Sequence, residues 1–207
     1  MRQLARLLVG AAILVGLGQL ASAEILQIQM GGIDLRYNGA NVVDAGITSP
    51  DPLTNATFLF NNVLVGVDNT GVTLDLLIPG VLNIPVGGGP VNSAAGGSLY
   101  LDLGGGEFLS LTLSSVTVSY LPLTSTMQFV FLGSAASMVG QQLPYGLSLA
   151  DPISFSVSSQ IMEPITQSGG YVTSFVSSGT GEIKGVPEPA TLTLLAVAGL
   201  GLLRRRR

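Results

Sequence analysis

The sequence predicts an all-β fold: a β-sandwich or jelly roll of about ten short strands, flanked by an N-terminal signal helix and a C-terminal apolar helix. Three observations predict it. Between the two ends, short runs of alternating apolar and polar residues recur, punctuated by Gly, Asn, Asp and Pro. No window there carries a 3.6-residue apolar stripe of helical length. β-Branched residues, Ser and Gly are common throughout, and they suit pleated strands and tight turns better than helices. A parallel β-helix is the alternative, but no fixed repeat period supports it.

At the start, Arg2 and Arg6 are followed by the apolar stretch Leu7–Leu20 and the small residues Ala21-Ser22-Ala23. This is the layout of a secretory signal peptide over residues 1–23, with cleavage after Ala23 leaving Glu24 first. The same residues also fit an uncleaved anchor. The secreted domain then spans residues 24–185. Ile25–Met30 and Ile33–Tyr37 open it, separated by Gly31-Gly32. Ala56–Phe60, Val63–Val67 and Val72–Ile78 follow, with Asp68-Asn69-Thr70-Gly71 as a turn between the last two. Pro79–Gly97, with Gly87-Gly88-Gly89-Pro90 at its centre, reads as a flexible surface loop. Ser98–Leu103 precedes Gly104-Gly105-Gly106. Phe108–Tyr120 is the clearest strand signal: Leu109, Leu111 and Leu113 share one parity, and Val116, Val118 and Tyr120 take the other. The phase change at Ser114-Ser115 predicts a bulge or a bend between sheets. Met127–Leu132, Ile153–Ser158 and Gly170–Val176 complete the set. Ser177–Gly185 is either the last strand or a tether.

Composition bounds the chemistry. The mean hydropathy of +0.57 is inflated by the two apolar ends. Between residues 24 and 185 only Arg36 and Lys184 are basic, against eleven of the twelve acids. Such a surface repels phosphate backbones, so nucleic-acid binding is excluded. With no cysteine there is no disulfide framework and no thiol nucleophile. With no histidine, the commonest general base and metal ligand is missing. No tryptophan is present to stack on sugars, although Tyr37, Tyr100, Tyr120, Tyr145 and Tyr171 remain.

The remaining candidates are carboxylates and glycines. Asp102 and Glu107 flank the glycine turn, where a carboxylate pair for glycoside hydrolysis and a pair of solvated turn acids are both compatible with the spacing. Asp34, Asn38, Asn41 and Asp44 crowd one loop region, and Asp68 with Asn69 another. Hard oxygen ligands of this kind hold Ca2+ in extracellular β-domains, but the spacing fits no EF-hand and turn chemistry explains the residues as well. Gly104-Gly105-Gly106 lacks the spacing and following helix of a phosphate loop. Gly133-Ser134-Ala135-Ala136-Ser137 holds no G-x-S-x-G elbow. No catalytic residue and no cofactor follows from these residues.

The last 22 residues, Val186–Arg207, carry the most specific signal. Pro187, Glu188 and Pro189 are followed by the uncharged run Ala190–Leu203 and by Arg204, Arg205, Arg206 and Arg207. As a helix, that run spans roughly 21 Å at about 1.5 Å per residue, short of the ~30 Å hydrocarbon core. Thinning of the bilayer or snorkelling of the arginines closes the gap, and the arginines hold the C-terminus on the cytoplasmic side. The two prolines keep their neighbours extended, which exposes the triplet just outside the membrane. A plain single-span anchor or a buried helix fits the same residues. The V-P-E-P-A-T order, the apolar run and the basic end together resemble the PEP-CTERM sorting domain, which is also catalogued as an ice-binding-protein C-terminal domain. No T-x-T ladder in residues 24–185 supports an ice-binding face.

The resemblance implies processing by an exosortase, a membrane-embedded cysteine transpeptidase of Gram-negative bacteria, with Pro187, Glu188 and Pro189 as the recognition element. It further implies export through the Sec translocon, a transient stay in the inner membrane, and delivery to the outer surface or the extracellular matrix. The expectation for the body is a non-enzymatic surface or matrix protein. A carbohydrate-binding or adhesive module for extracellular polysaccharide, with or without Ca2+, is the alternative, and a carboxylate-dependent glycosidase the third reading.

Overall fold

The computed structural model describes residues 24–45, 50–122 and 127–185. In chain order the strands are β1 (Leu26–Tyr37), β2 (Val42–Asp44), β3 (Asp51–Pro52), β4 (Asn55–Phe60), β5 (Val63–Asp68), β6 (Thr73–Ile78) and β7 (Gly89–Asn92). They continue with β8 (Gly97–Gly104), β9 (Glu107–Leu113), β10 (Thr117–Pro122), β11 (Met127–Gln142), β12 (Ile153–Ile161), β13 (Thr166–Ser168) and β14 (Tyr171–Gly185). The only helical element among the described residues is a 3-10 turn, Pro144–Gly146. The expected signal and C-terminal helices lie outside the described residues. So do Ala21, Ala23, Pro187, Glu188, Pro189 and the four terminal arginines.

The all-β expectation holds, but the sandwich does not. Hydrogen bonding runs β14-β12-β11-β9-β8-β6-β2-β1, and β1 then pairs with β14 to close an eight-stranded antiparallel barrel. Ser177–Gly185 is therefore strand rather than tether. It continues β14 and lies between β12 and β1, where either sheet of a sandwich would have ended in a free edge. Two-stranded flaps extend the wall: β4 and β5 continue from the first half of β1, while β10 and β7 continue from the first half of β11.

The long strands were hidden by glycines. β1 is one strand with a bulge, its register to β14 shifting between Gly31 and Ile33. Leu26, Ile28 and Met30 face inward before the bulge, and Ile33, Leu35 and Tyr37 after it. The extra residue is what keeps both halves apolar-side-in. Gly32 adopts φ +76°, which a side chain would resist. The inward face of β14 reads Phe175, Ser177, Gly179, Gly181, Ile183, Gly185. A Cβ on Gly179 would fall 2.0 Å from the Ser158 carbonyl oxygen, so the close approach of β12 depends on that glycine.

At Ser114-Ser115, where the sequence predicts a bulge or a bend between sheets, the strand is interrupted within one sheet. β9 pairs with β8 and β11, whereas β10 pairs with β11 and β7. The predicted loop Pro79–Gly97 is a correction. Val81 and Ile84 are fully buried within it, and β7 forms on β10. It closes one end of the barrel: the Tyr37 hydroxyl donates to the Val81 carbonyl at 2.8 Å, and the Val172 N–H donates to Ile84. Glycine-rich composition hid a segment whose two apolar residues sit in the core.

Beneath that end the aromatic rings stack. Phe129 lies 3.8 Å from Phe175 and 4.9 Å from Tyr120 between ring centroids, and Tyr37 lies 5.4 Å from Phe175. Each such ring contributes about 1.5–3 kcal/mol by leaving water. At the other end the strand termini line up, with Leu26 and Ile153 both opposite Gly185. The chain enters and leaves the barrel there.

Gly179→Val tests the closure. Overpacking against backbone is expected to cost about 1–3 kcal/mol or more, read as a lower urea midpoint by circular dichroism. An unchanged midpoint would show that β12 and β14 do not approach as closely as described.

Candidate functional site

Alternation along the barrel strands sends every second side chain outward, and on four adjacent strands, β4, β1, β14 and β12, those that line one groove are polar. A groove of about 600 Å³ runs across β4, β1, β14, β12 and β11. Asn55 and Thr57 come from β4, Gln29 from β1, Thr180 and Glu182 from β14, and Ser156 and Ser158 from β12. Val130 and Leu132 of β11 form an apolar margin, Leu132 being 52 % exposed. Four strand spacings of about 4.8 Å make the groove roughly 19 Å across.

Part of this lining is internally bonded. Asn55 Nδ2 donates to Thr57 Oγ1 at 3.2 Å, and Gln27 Nε2 to Glu182 Oε1 at 3.4 Å. Gln128 Nε2 donates to Ser158 Oγ. Gln29, Ser156 and Thr180 have no side-chain hydrogen bond among the described residues and are free to bond a ligand. No aromatic ring and one carboxylate, Glu182, line the groove. It offers hydroxyl and amide groups, suited to a neutral, hydroxyl-rich ligand, and holds no pair of carboxylates to work as acid and base.

The acids singled out in the sequence go elsewhere. Asp102 Oδ1 accepts from the Gly104 N–H at 2.8 Å and so caps the glycine turn, where Gly104 is opposite Glu107. Asn38 Oδ1 accepts from the Ala40 and Asn41 N–H groups at 3.1 and 2.8 Å, and Asn41 Oδ1 from Gly80 at 3.1 Å. These amides hold turns. Asp68 Oδ1 accepts from the Tyr145 hydroxyl at 3.2 Å. Glu24 is exposed beside the barrel entrance.

Asp34 and Asp44 lie near Asp51, which the sequence did not single out and whose carboxylate has a structural task. Where β1 changes partner from β2 to β4, the wall would open. Asp51 Oδ2 there accepts the Asp34 N–H at 2.8 Å, Leu53 donates to Val72 and Thr54 to Gly31. A carboxylate thus stands in for a missing strand partner. Asp51 is 2 % exposed and Asp44 9 %, with Asp44 Oδ2 lacking a partner among the described residues. No group of three His, Cys, Asp or Glu among the described residues has the geometry to hold a metal ion.

Sequence reasoning missed the groove because its residues come from five separate strands. A signal was present in the polar alternations Gln27, Gln29; Ser154, Ser156, Ser158; and Thr180, Glu182, Lys184.

Comparison with known proteins adds the sorting tail. Residues 185–207 match the PEP-CTERM protein-sorting motif family. No curated protein and no solved structure matches the chain. The motif marks an exported, surface-directed protein whose processing partner is an exosortase. Among the described residues no helix is long and apolar enough to cross a membrane.

Burial raises the Asp51 carboxyl above its ordinary range. The Asp34 N–H works against this, and the Asp34 and Asp44 charges add to it. An acid whose folded pKa exceeds its unfolded value holds its proton more tightly when folded. Asp51 therefore withdraws stability as pH rises from about 4 through its folded pKa. Asp51→Asn keeps an acceptor oxygen and removes the titration. Its stability relative to the parent should climb between about pH 4 and pH 7, measured by paired urea titrations. A difference that stays flat would refute the assignment.

Proposed function

We propose that this is a non-enzymatic surface or matrix protein of a Gram-negative-type bacterium, delivered by exosortase processing of its tail, whose barrel binds extracellular polysaccharide in the wall groove. One observation carries the delivery half: the sorting motif at residues 185–207. Pro187, Glu188 and Pro189 are the recognition element, and Ala190–Leu203 with Arg204–Arg207 hold the precursor in the inner membrane until cleavage. No catalytic residue for that step belongs to this chain, which is the substrate. Cleavage between Ala23 and Glu24 completes maturation.

What supports the binding half is the chemistry of the groove. Gln29, Ser156 and Thr180 are uncommitted, the lining is neutral apart from Glu182, and Val130 and Leu132 offer an apolar margin to a sugar face. The reading needs no cofactor, and calcium enters it only as a variable to be tested.

Intact mass of the protein recovered from outside its native cells checks delivery. The expected mass starts at Glu24 and lacks the residues after the Pro187 region, whereas retention of Ala190–Arg207 would mean an ordinary anchor. Replacing the four arginines should give premature release or mistargeting of the precursor.

The groove is checked by affinity electrophoresis on extracellular polysaccharide of the same cells, with and without calcium. A triple variant, Gln29→Ala, Ser156→Ala, Thr180→Ala, removes three hydrogen bonds at about 1 kcal/mol each. Binding should weaken roughly a hundredfold at unchanged thermal midpoint. Equal retention of variant and parent would refute the groove.

A further inference from the structure

We infer that the pole at which the chain enters and leaves the barrel is a membrane-contact surface in the unprocessed precursor, seated on neutral headgroups through the tip of the β4–β5 hairpin. The inference rests on the sorting reading above and adds the orientation of the folded body to it.

Tether length is the first argument. Leu26 and Gly185 face each other across β1 and β14, so both ends of the body leave adjacent strands. Beyond Gly185 only residues 186–189 precede the apolar run that starts at Ala190. Four residues reach at most about 14 Å when extended. The interfacial layer outside the hydrocarbon core is itself roughly 5–8 Å deep on each side. A barrel whose tail is inserted therefore stands with this pole at the headgroups.

The second argument is what the pole presents. Leu26 is opposite Phe60 and Phe60 opposite Val63, which sets Val63 about 14 Å from Gly185, three strand spacings away. Val63 and Leu64 are 66 % and 59 % exposed at the start of the edge strand. The turn that precedes them is fastened to the chain entrance: the Ile25 N–H donates to Asn61 Oδ1 at 2.9 Å and the Asn61 N–H to the Ile25 carbonyl at 2.8 Å. Tyr145, 52 % exposed, lies on Gly66 of the same strand with its hydroxyl on Asp68. Aliphatic tips beside a tyrosine suit the water–lipid boundary. Glu24 and Asp151 at this pole oppose an anionic surface, which selects neutral lipid.

The other pole supplies an internal control. Met162 is also 66 % exposed, and its N–H bonds Val176, nine residues and about 30 Å along β14 from Gly185. The chain contains no cysteine, so single-cysteine variants Val63→Cys and Met162→Cys of the full chain take one nitrobenzoxadiazole label each. Both are reconstituted with phosphatidylcholine vesicles carrying a fraction of spin-labelled lipid. Flotation reports insertion of the chain, and quenching by the spin-labelled lipid reports the pole. The expected result is flotation of both variants, with at least twofold stronger quenching at position 63 than at 162. Flotation with equal quenching at both positions overturns the orientation and leaves the sorting tail intact. Failure to float overturns both readings. A label at 63 shielded from aqueous iodide but not quenched by lipid, together with a doubled mass, identifies a second copy on β5 and also overturns it.

Discussion

The pairing of β1 with β14 is the constraint on which the rest of the structure depends. It joins the first strand of the body to the last, across nearly the whole chain, and turns an extended sheet into a ring. Contacts of such separation are entropically costly to form and are rewarded only when many form together. The reward here is a continuous core that includes the stacked Phe129, Phe175, Tyr37 and Tyr120, in a protein without a disulfide to restrain its unfolded chain. Closure also removes the edges that a sheet rich in Val and Leu would otherwise expose. β5 remains as an edge, and Val63, Leu64, Val65 and Val67 reach solvent along it.

Closing a ring from strands of unequal length leaves defects, and the polar residues of the wall address them. Where β1 leaves β2 for β4, the Asp51 carboxylate receives a backbone donor that no strand can take. Where β9 turns into β10, the Val116 N–H donates to Ser93 Oγ at 2.8 Å. Both are buried side chains bonded to backbone, the usual way in which an irregular wall satisfies its amides. The acidic and serine residues that read as candidate chemistry are largely structural for this reason. The uncommitted Gln29, Ser156 and Thr180 gather instead on the outer face of β1, β12 and β14.

The sequence shows the strands through alternation but does not show which strands meet. Phe108–Tyr120 displays its interruption directly, because moving an apolar set from odd to even positions has few physical causes. The glycine pairs misled for the opposite reason. Gly31-Gly32 reads as a break, yet in a barrel a bulge at that point preserves the inward face of one long strand. Gly179 and Gly181 left Ser177–Gly185 open between a last strand and a tether, although their missing side chains are what allow Ser158 and Ile33 to approach. Closure is a property of pairs far apart in sequence, and local periodicity is the same in a sandwich and in a barrel. The groove escaped for a related reason, since its residues become neighbours only after the ring is shut.

Delivery and binding make compatible demands on this geometry. The sorting motif begins where the closing strand ends, so in the proposed membrane-held precursor the pole would face the membrane while the tail is in place. Gln29, Thr180 and Glu182 lie three to five residues along β1 and β14 from Leu26 and Gly185, roughly 10–17 Å from the pole. The groove crosses the strands there and opens on the side of the barrel rather than at its end. A polymer bound in it would run past the tethered pole without displacing it. Cleavage at the tail would free the pole and leave the groove unaltered, because the residues that line it are held by strand pairing within the barrel and not by anything beyond Gly185.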